Sequence, residues 1–421
     1  LRYIGNFLDN QGNFMYIRGN YTDRIRPFIG KPVIKVITGM RRSGKSTFVK
    51  QIIAHLAVEL VPEKSILYIN KESLEFDFIR NYRDLHTYVQ EFFSGITDKK
   101  YLFVDEIQEI ENWEKAITSF FSDGDVDIFI TGSNAHLLSS EIATLISGRY
   151  IEFPLYTLGF NEFLQFRDDQ RGIVEEDFRN YLRFGGLPAL HHFDFNEEVV
   201  YQYINALYST ILLKDVIKRN NIRNISLLEN ITKFIFDNIG NIFSAKKVSD
   251  YLKSQRIRVR PETVQNYVSY LLSSYAIYKV PRYDIKGKRL LEIHEKYYLG
   301  DIGFRNALLG YKDQDISGIL ENIVFLELKR RGYQIAIGKL GDLEIDFIAE
   351  KQNEKVYIQV AYLLAQPETI EREFSVLKKI KDNYPKFVLS LDTVIGEDVD
   401  GIRRMNLIEF LISENSITNG K

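Results

Sequence analysis

Cysteine is absent from the 421-residue chain, which excludes a disulfide framework and any thiolate metal site. Long apolar runs are missing as well. None approaches 18 residues, so no membrane-spanning helix is expected. Neither sign of charge dominates: 55 Lys and Arg face 57 Asp and Glu, a net of −2. The chain as a whole therefore has no electrostatic pull toward nucleic acid. Leu1-Arg2-Tyr3-Ile4-Gly5 does not read as a signal peptide. The missing initiator Met points to a trimmed or partial start. Together these absences predict a cytoplasmic protein with no membrane attachment. What is present is ordinary for globular protein, with 45% hydrophobic and 27% charged residues. The 26 Tyr and 29 Phe predict an aromatic-rich core, and the length predicts two to four domains.

The most informative stretch is Gly39-Met40-Arg41-Arg42-Ser43-Gly44-Lys45-Ser46. Upstream, Val33 to Ile37 is a β-branched apolar run that reads as a buried strand. Downstream, Phe48, Ile52, Ile53 and Leu56 recur at helical spacing from Thr47 to Leu60. Strand, glycine-bounded loop and helix are the context in which G-x-x-x-x-G-K-[ST] binds nucleotide phosphates. Gly39 to Thr47 are the expected ATP-binding residues, with the backbone N–H groups of residues 40–46 wrapping the β-phosphate at the positive end of the helix. Lys45 is expected on the β- and γ-phosphates and the Ser46 hydroxyl on Mg²⁺.

Tyr101-Leu102-Phe103-Val104-Asp105-Glu106 is the second signature, four apolar residues delivering two acids to a strand end. Asp105 is expected to hold the Mg²⁺ shell with Ser46. Glu106 is expected to polarise the attacking water as general base. A strand and a helix, Ser65–Asn70 and Tyr82–Phe93, separate the two signatures. Next, Val126 to Thr131 reads as a strand ending in Gly132-Ser133-Asn134. Ser133 is the first candidate and Asn134 the second for a polar contact to the γ-phosphate or the water, and the alternative is a helix N-cap. Arg149 follows Gly148 just before the strand Tyr150–Leu155. It is either a guanidinium that reaches a nucleotide, in its own or a neighbouring subunit, or a surface arginine. Action on a neighbour would make the working form an oligomer.

The stretches TGMRRSGKS, YLFVDEIQ, ITGSNAHLLS and ISGRYIEFPLYTLGFNEF resemble, as a set, a widespread group of prokaryotic AAA-type ATPases. These belong to the additional-strand class of nucleotide hydrolases. The resemblance spans about residues 20 to 415 and implies an α/β fold. A parallel P-loop sheet with flanking helices would be followed by a helical or winged-helix middle and a nuclease-like α/β domain. The domains expected are 1–156 for the ATPase core, 157–221 for a helical connector, 222–312 for a winged helix-turn-helix and 313–421 for the last domain.

The middle carries the charge asymmetry. Fourteen Lys and Arg against seven Asp and Glu give residues 222–300 a net of +7, leaving −9 on the rest. Three helices, Leu227–Asn238, Ser244–Leu252 and Pro261–Leu272, precede two β-like runs around Ile285-Lys286-Gly287-Lys288. Arg256, Arg258 and Arg260 stand before the third helix, and Lys286, Lys288 and Arg289 on the hairpin, where phosphate contacts fall. The third helix has no Lys or Arg and offers bases only Gln265 and Asn266. Residues 222–300 are therefore either a DNA-backbone surface or a packing module that meets protein partners. His191-His192 lacks further ligands at metal spacing and reads as structural.

In the last hundred residues, the helix Gly318–Arg331 carries Glu321, and strands follow with Asp346 and then Gln359-Val360-Ala361. This outline resembles the restriction-endonuclease-like fold, in which a helix Glu, a strand Asp and a D/E-x-K pair bind Mg²⁺ and activate water. Gln359 and Ala361 depart from that pattern, because Gln is an uncharged ligand and Ala cannot act as the lysine. The expectation is a degenerate nuclease fold kept for binding or assembly, unless Lys355 or Lys378 supplies the amine.

Overall fold

The structure, a computed structural model, describes residues 7–8, 14–138, 148–167, 173–394, 398–413 and 417. The expectations for the first five residues, for Leu145-Ile146-Ser147 ahead of Arg149, and for most of 412–421 lie outside these. Contacts divide the chain into two units, Leu1–Leu155 with Ser273–Tyr275, and Tyr156–Leu272 with Ala276–Lys421.

The first unit opens with a short antiparallel pair, β1 (Phe7–Leu8) and β2 (Phe14–Met15), and helix α1 (Gly19–Ile25). Then come β3 (Ile34–Thr38), α2 (Lys45–Val58), β4 (Ile66–Asn70) and α3 (Tyr82–Phe92). They are followed by β5 (Lys100–Asp105), α4 (Trp113–Asp123), β6 (Val126–Gly132) and β7 (Tyr150–Pro154). The strands form one parallel sheet in the order β4-β5-β6-β3-β7. Parallel strands covered on both faces read as continuous apolar runs, and β3 is buried at every position. The core includes Val36, Ile69, Val104, Ile117 and Ile130, with Trp113 inside it. Helix α3 starts at a capping box, Asn81 with Asp84. In this strand order β6 lies between β3 and β5, so the phosphate-loop strand and the acidic strand flank the strand that ends in Gly132.

The second unit begins with α5 (Phe160–Phe166), α6 (Val174–Phe184) and α7 (Glu197–Thr210). The long helix expected from Glu197 to Arg219 changes character, running as a π-helix from Ile211 to Lys218. Next are α8 (Ile225–Asp237), α9 (Ala245–Ser254) and α10 (Pro261–Ser273), with Ser244 capping α9 through the Lys247 amide. The hairpin β8 (Ile277–Asp284) and β9 (Arg289–Leu299) leads to α11 (Ile302–Leu309), which the sequence pattern did not reveal. Helix α12 (Ile316–Arg330) and strands β10 (Gln334–Leu340), β11 (Leu343–Lys351) and β12 (Glu354–Val360) follow. The described chain closes with α13 (Pro367–Lys378), β13 (Lys386–Ser390), β14 (Arg403–Asn406) and α14 (Leu407–Ile412).

A single mixed sheet, β14-β13-β12-β11-β10-β8-β9, runs through this unit. The hairpin joins it because β8 pairs in parallel with β10, Arg282 opposite Ile337. The border expected at 312/313 is thus bridged by strand pairing. The turn Phe184-Gly185-Gly186-Leu187-Pro188 is tied down by buried Asp301, which accepts from the Gly186 and Gly303 amides at 2.9 and 2.8 Å. Gly185, at φ +77°, would place a Cβ 1.8 Å from an Asp301 carboxylate oxygen, so only glycine fits.

Candidate nucleotide site

The loop after β3 is shaped by three residues with positive φ, Gly39 at +147°, Arg42 at +65° and Gly44 at +98°. At Gly39 a Cβ would lie 2.2 Å from the Leu155 carbonyl oxygen, so the loop leaves its strand against neighbouring backbone. Helix α2 begins at Lys45, and the first ladder bond runs from the Phe48 amide to the Gly44 carbonyl at 2.9 Å. The amides of Lys45, Ser46 and Thr47 therefore stand ahead of the ladder at the positive end of the helix. Ser46 is half-buried, and Ser43, Lys45 and Met40 are buried.

Lys45 is held by three acceptors. Its Nζ donates to the carbonyls of Gly39 and Met40 at 3.1 and 3.2 Å and stands 3.4 Å from Glu106 Oε1. Arg41, in the same loop, pairs with Glu72 at 2.8 Å.

The acids leave β5 on opposite errands. Asp105 is 1% exposed, with Oδ1 accepting from the Thr131 hydroxyl and Oδ2 from Tyr68 OH at 3.1 Å. Glu106 turns into the left-handed region at φ +55°, a conformation that costs a non-glycine residue energy. Its amide donates to Thr131 Oγ1 at 3.0 Å, and its Oε2 accepts from Ser133 Oγ at 2.9 Å and from Gln108 Nε2. Burial pushes the Glu106 carboxyl up. The Lys45 charge, the Gln108 and Ser133 hydrogen bonds and the Arg41 charge outweigh that, holding it below its ordinary value. It is thus a carboxylate at neutral pH, as a base must be. Thr131 was not singled out from the sequence. Nothing local marks it, because 25 residues separate it from Glu106 and only the pairing of β5 with β6 brings it beside the acids.

A model of the AAA domain matches residues 31–164, and one of a domain of unknown function, DUF8612, matches residues 175–315. A protein of Haemophilus influenzae described as uncharacterised is 36% identical over 400 residues, covering 94% of this chain and 99% of its own. A second such protein, from Methanocaldococcus jannaschii, is 32% identical over 379 residues, covering 86% of this chain and 80% of its own. The chain belongs to this AAA-domain family. Among solved structures, the Walker-type ATPase PABY2304 of Pyrococcus abyssi superposes with a TM-score of 0.52 at 14% identity, over 72% of this chain and 98% of that one. That likeness shows the P-loop ATPase fold. The AAA domain accounts for the first sheet and implies nucleotide binding.

The AAA domain does not bring every candidate together. Arg149 lies at the far end of the sheet from the phosphate loop. Tyr150 is paired with Ile34 and Pro154 with Thr38, and the Arg149 carbonyl accepts from the Ile34 amide at 2.7 Å. A strand of this length separates the two ends by about 15 Å. The exposed guanidinium sits over the Phe121 ring at 5.7 Å. Within one chain, then, the expectation that Arg149 reaches its own nucleotide does not hold. Asn134, the second candidate beside Ser133, is buried.

In the second unit, Glu321 accepts from Tyr298 OH at 3.0 Å and stands 3.5 Å from Lys296 Nζ, which also pairs with Glu344 at 2.7 Å. Burial pushes the Asp346 carboxyl well up, and the Glu321 charge adds to this against Lys296. Its Oδ2 accepts from the Val360 amide at 2.8 Å. Gln359 is consumed locally, accepting from the Asp346 amide at 2.7 Å and donating to Glu373 at 2.9 Å. Neither lysine proposed as an amine source is here. Lys355 pairs with Glu350 at 3.0 Å beneath three tyrosine rings, and Lys378 pairs with Asp400 at 2.9 Å. The lysine beside Glu321 and Glu344 is instead Lys296 on β9, which is 3% exposed. Among the described residues, no three His, Cys, Asp or Glu side chains are grouped to hold a metal ion, and no helix is long and apolar enough to cross a membrane.

His191 fits its structural reading, packed against Phe163, Phe166 and Phe195 at centroid distances of 4.7, 5.4 and 5.8 Å.

Proposed function

We propose that the protein is a Mg²⁺-dependent ATPase whose hydrolytic residues are Lys45, Ser46, Asp105, Glu106 and Ser133. One observation carries the reading: an ionised Glu106 is fixed by Ser133, Gln108 and Thr131 and ion-paired with the phosphate-loop lysine. The donor set suits a nucleotide triphosphate. An ammonium, helix-terminal amides and a loop that leaves its strand at a glycine with no room for a Cβ would meet the phosphates. The Ser46 hydroxyl and the Asp105 carboxylate would hold Mg²⁺, which supplies charge neutralisation when bound. Glu106 would accept the proton of the attacking water, and Ser133 would keep that carboxylate in register. Binding of phosphate would draw Lys45 from Glu106 and free the base. The test is phosphate release by the purified chain, with Lys45→Ala and Glu106→Gln as controls. Turnover that survives both changes would sink the reading.

A second reading concerns what the ATPase acts on. The side chains of Arg256, Arg258, Arg260, Lys286, Lys288 and Arg289 are exposed, and among the described residues none has an acidic partner. Unpaired cations before a helix and on a hairpin tip support a winged-helix-like surface for DNA phosphates. Affinity that falls steeply with salt, and ATP turnover stimulated by duplex DNA, are the expected results. Absence of both favours a nucleotide-switched scaffold. Gln359, uncharged and engaged with Asp346 and Glu373 in place of the pattern's acid, supports a second unit that binds rather than cuts. Mg²⁺-dependent nicking that Asp346→Ala abolishes would contradict that part.

A further inference from the structure

Arg18 is 3% exposed, although it carries a guanidinium and lies in the lead-in to α1. A buried charge of this kind requires hydrogen-bonded partners. Its Nη1 donates to the Ser43 carbonyl at 3.1 Å, and the guanidinium lies 4.5 Å from the Tyr21 ring centroid. The backbone is anchored too. The Arg18 amide donates to Gln51 Oε1 at 3.2 Å, and Gln51 Nε2 donates to the Tyr16 carbonyl at 2.6 Å. The Arg18 carbonyl accepts from the Tyr21 and Thr22 amides, both at 3.1 Å, which starts α1. The side chain is therefore held in place by α1 and α2 and aimed at one carbonyl of the phosphate loop.

That carbonyl matters because of what lies on the other side of its peptide. The Ser43–Gly44 bond is trans, as all described bonds are. In a trans peptide the C=O and the following N–H point in opposite directions. Gly44, at φ +98°, gives this peptide little steric resistance to flipping. We infer that Arg18 is a positioning residue for nucleotide. By holding the Ser43 carbonyl outward, it turns the Gly44 N–H inward, to where the β-phosphate of ADP or ATP would bind. The inference rests on the ATPase reading of the loop.

The test is calorimetric titration of the full chain with ADP and with AMP, for wild type and Arg18→Met. AMP has no β-phosphate. The variant is expected to lose at least about tenfold in ADP affinity, about 1.4 kcal/mol, with AMP affinity unchanged. ADP affinity equal to wild type would overturn the inference. An equal loss for ADP and AMP would overturn it as well, because it would mean general support rather than orientation of one amide. Arg18→Gln, too short to reach the same carbonyl, is judged by the same criteria if Arg18→Met does not fold. Failure of wild type to bind ADP would refute the nucleotide reading itself, a separate outcome.

Discussion

Replacing Thr131 by Val keeps the shape of a fully buried side chain and removes one hydroxyl. That hydroxyl donates to Asp105 Oδ1 and accepts from the Glu106 amide at 3.0 Å. A lost hydrogen bond to a charged group costs about 1.5–3 kcal/mol, and a buried donor left unsatisfied about 1–3 kcal/mol. Relaxation and the added methyl contact recover part of this, so the net loss is roughly 2–4 kcal/mol. For a body of this size, about 2–4 °C per kcal/mol lowers its unfolding midpoint by roughly 5–15 °C. The same change releases Glu106 from its left-handed conformation, since the Thr131 contact holds its amide. The carboxylate then leaves Ser133, and kcat should fall by at least about tenfold, or about 1.4 kcal/mol of barrier. Calorimetric unfolding and phosphate release read these two quantities. Thr131→Ser, which keeps the hydroxyl, should restore turnover. A Val variant that unfolds within a degree of wild type and turns over normally would refute the assignment of Thr131.

Three further outcomes are expected. Lys35 and Asp127 form a fully buried ion pair across β3 and β6, with Asp127 also accepting from the Gly30 amide at 2.6 Å. Asp127→Ala should destabilise by about 3–5 kcal/mol in denaturant unfolding, whereas Lys35→Met with Asp127→Leu should recover most of that. Burial first, then the Arg167 charge and His192, push His191 down to about 3 from 6.5. The unfolded chain therefore takes up a proton that the folded chain refuses. Stability contributed by His191 is complete above about pH 6.5 and falls by up to about 1.4 kcal/mol per unit toward pH 3. His191→Phe should flatten that slope in midpoints measured from pH 7 to 5. Arg149→Ala should leave ADP affinity within about twofold, or 0.4 kcal/mol, and a tenfold loss would contradict its place at the far end of β7.

The strand-loop-helix at 33–60 and the strand ending in Asp105-Glu106 were legible because each is contiguous. Their spacing is local, and local backbone geometry turns it into position. Ser133 could be suspected for the same reason, being close after a strand end. Thr131 and Arg18 could not. Thr131 becomes the centre of the acidic pair only because β6 is inserted between β5 and β3, and strand order is a property of the whole sheet. Arg18 meets Ser43 across 25 residues, through α1 and Gln51. Arg149 looked well placed because a glycine and a strand adjoin it, but parallel pairing puts the start of β7 at the wrong edge.

In the second unit, the sequence by itself determined the helix with Glu321, the strand with Asp346 and the missing lysine in Gln359-Val360-Ala361. Only tertiary structure decided that an amine reaches these acids, from Lys296 on a hairpin strand far upstream. The reason is the same throughout. Periodicity and spacing report which face or end of an element a residue occupies. Hydrogen bonds and ion pairs between distant elements are chosen when sheets select their strand order and burial demands that every charge be paired.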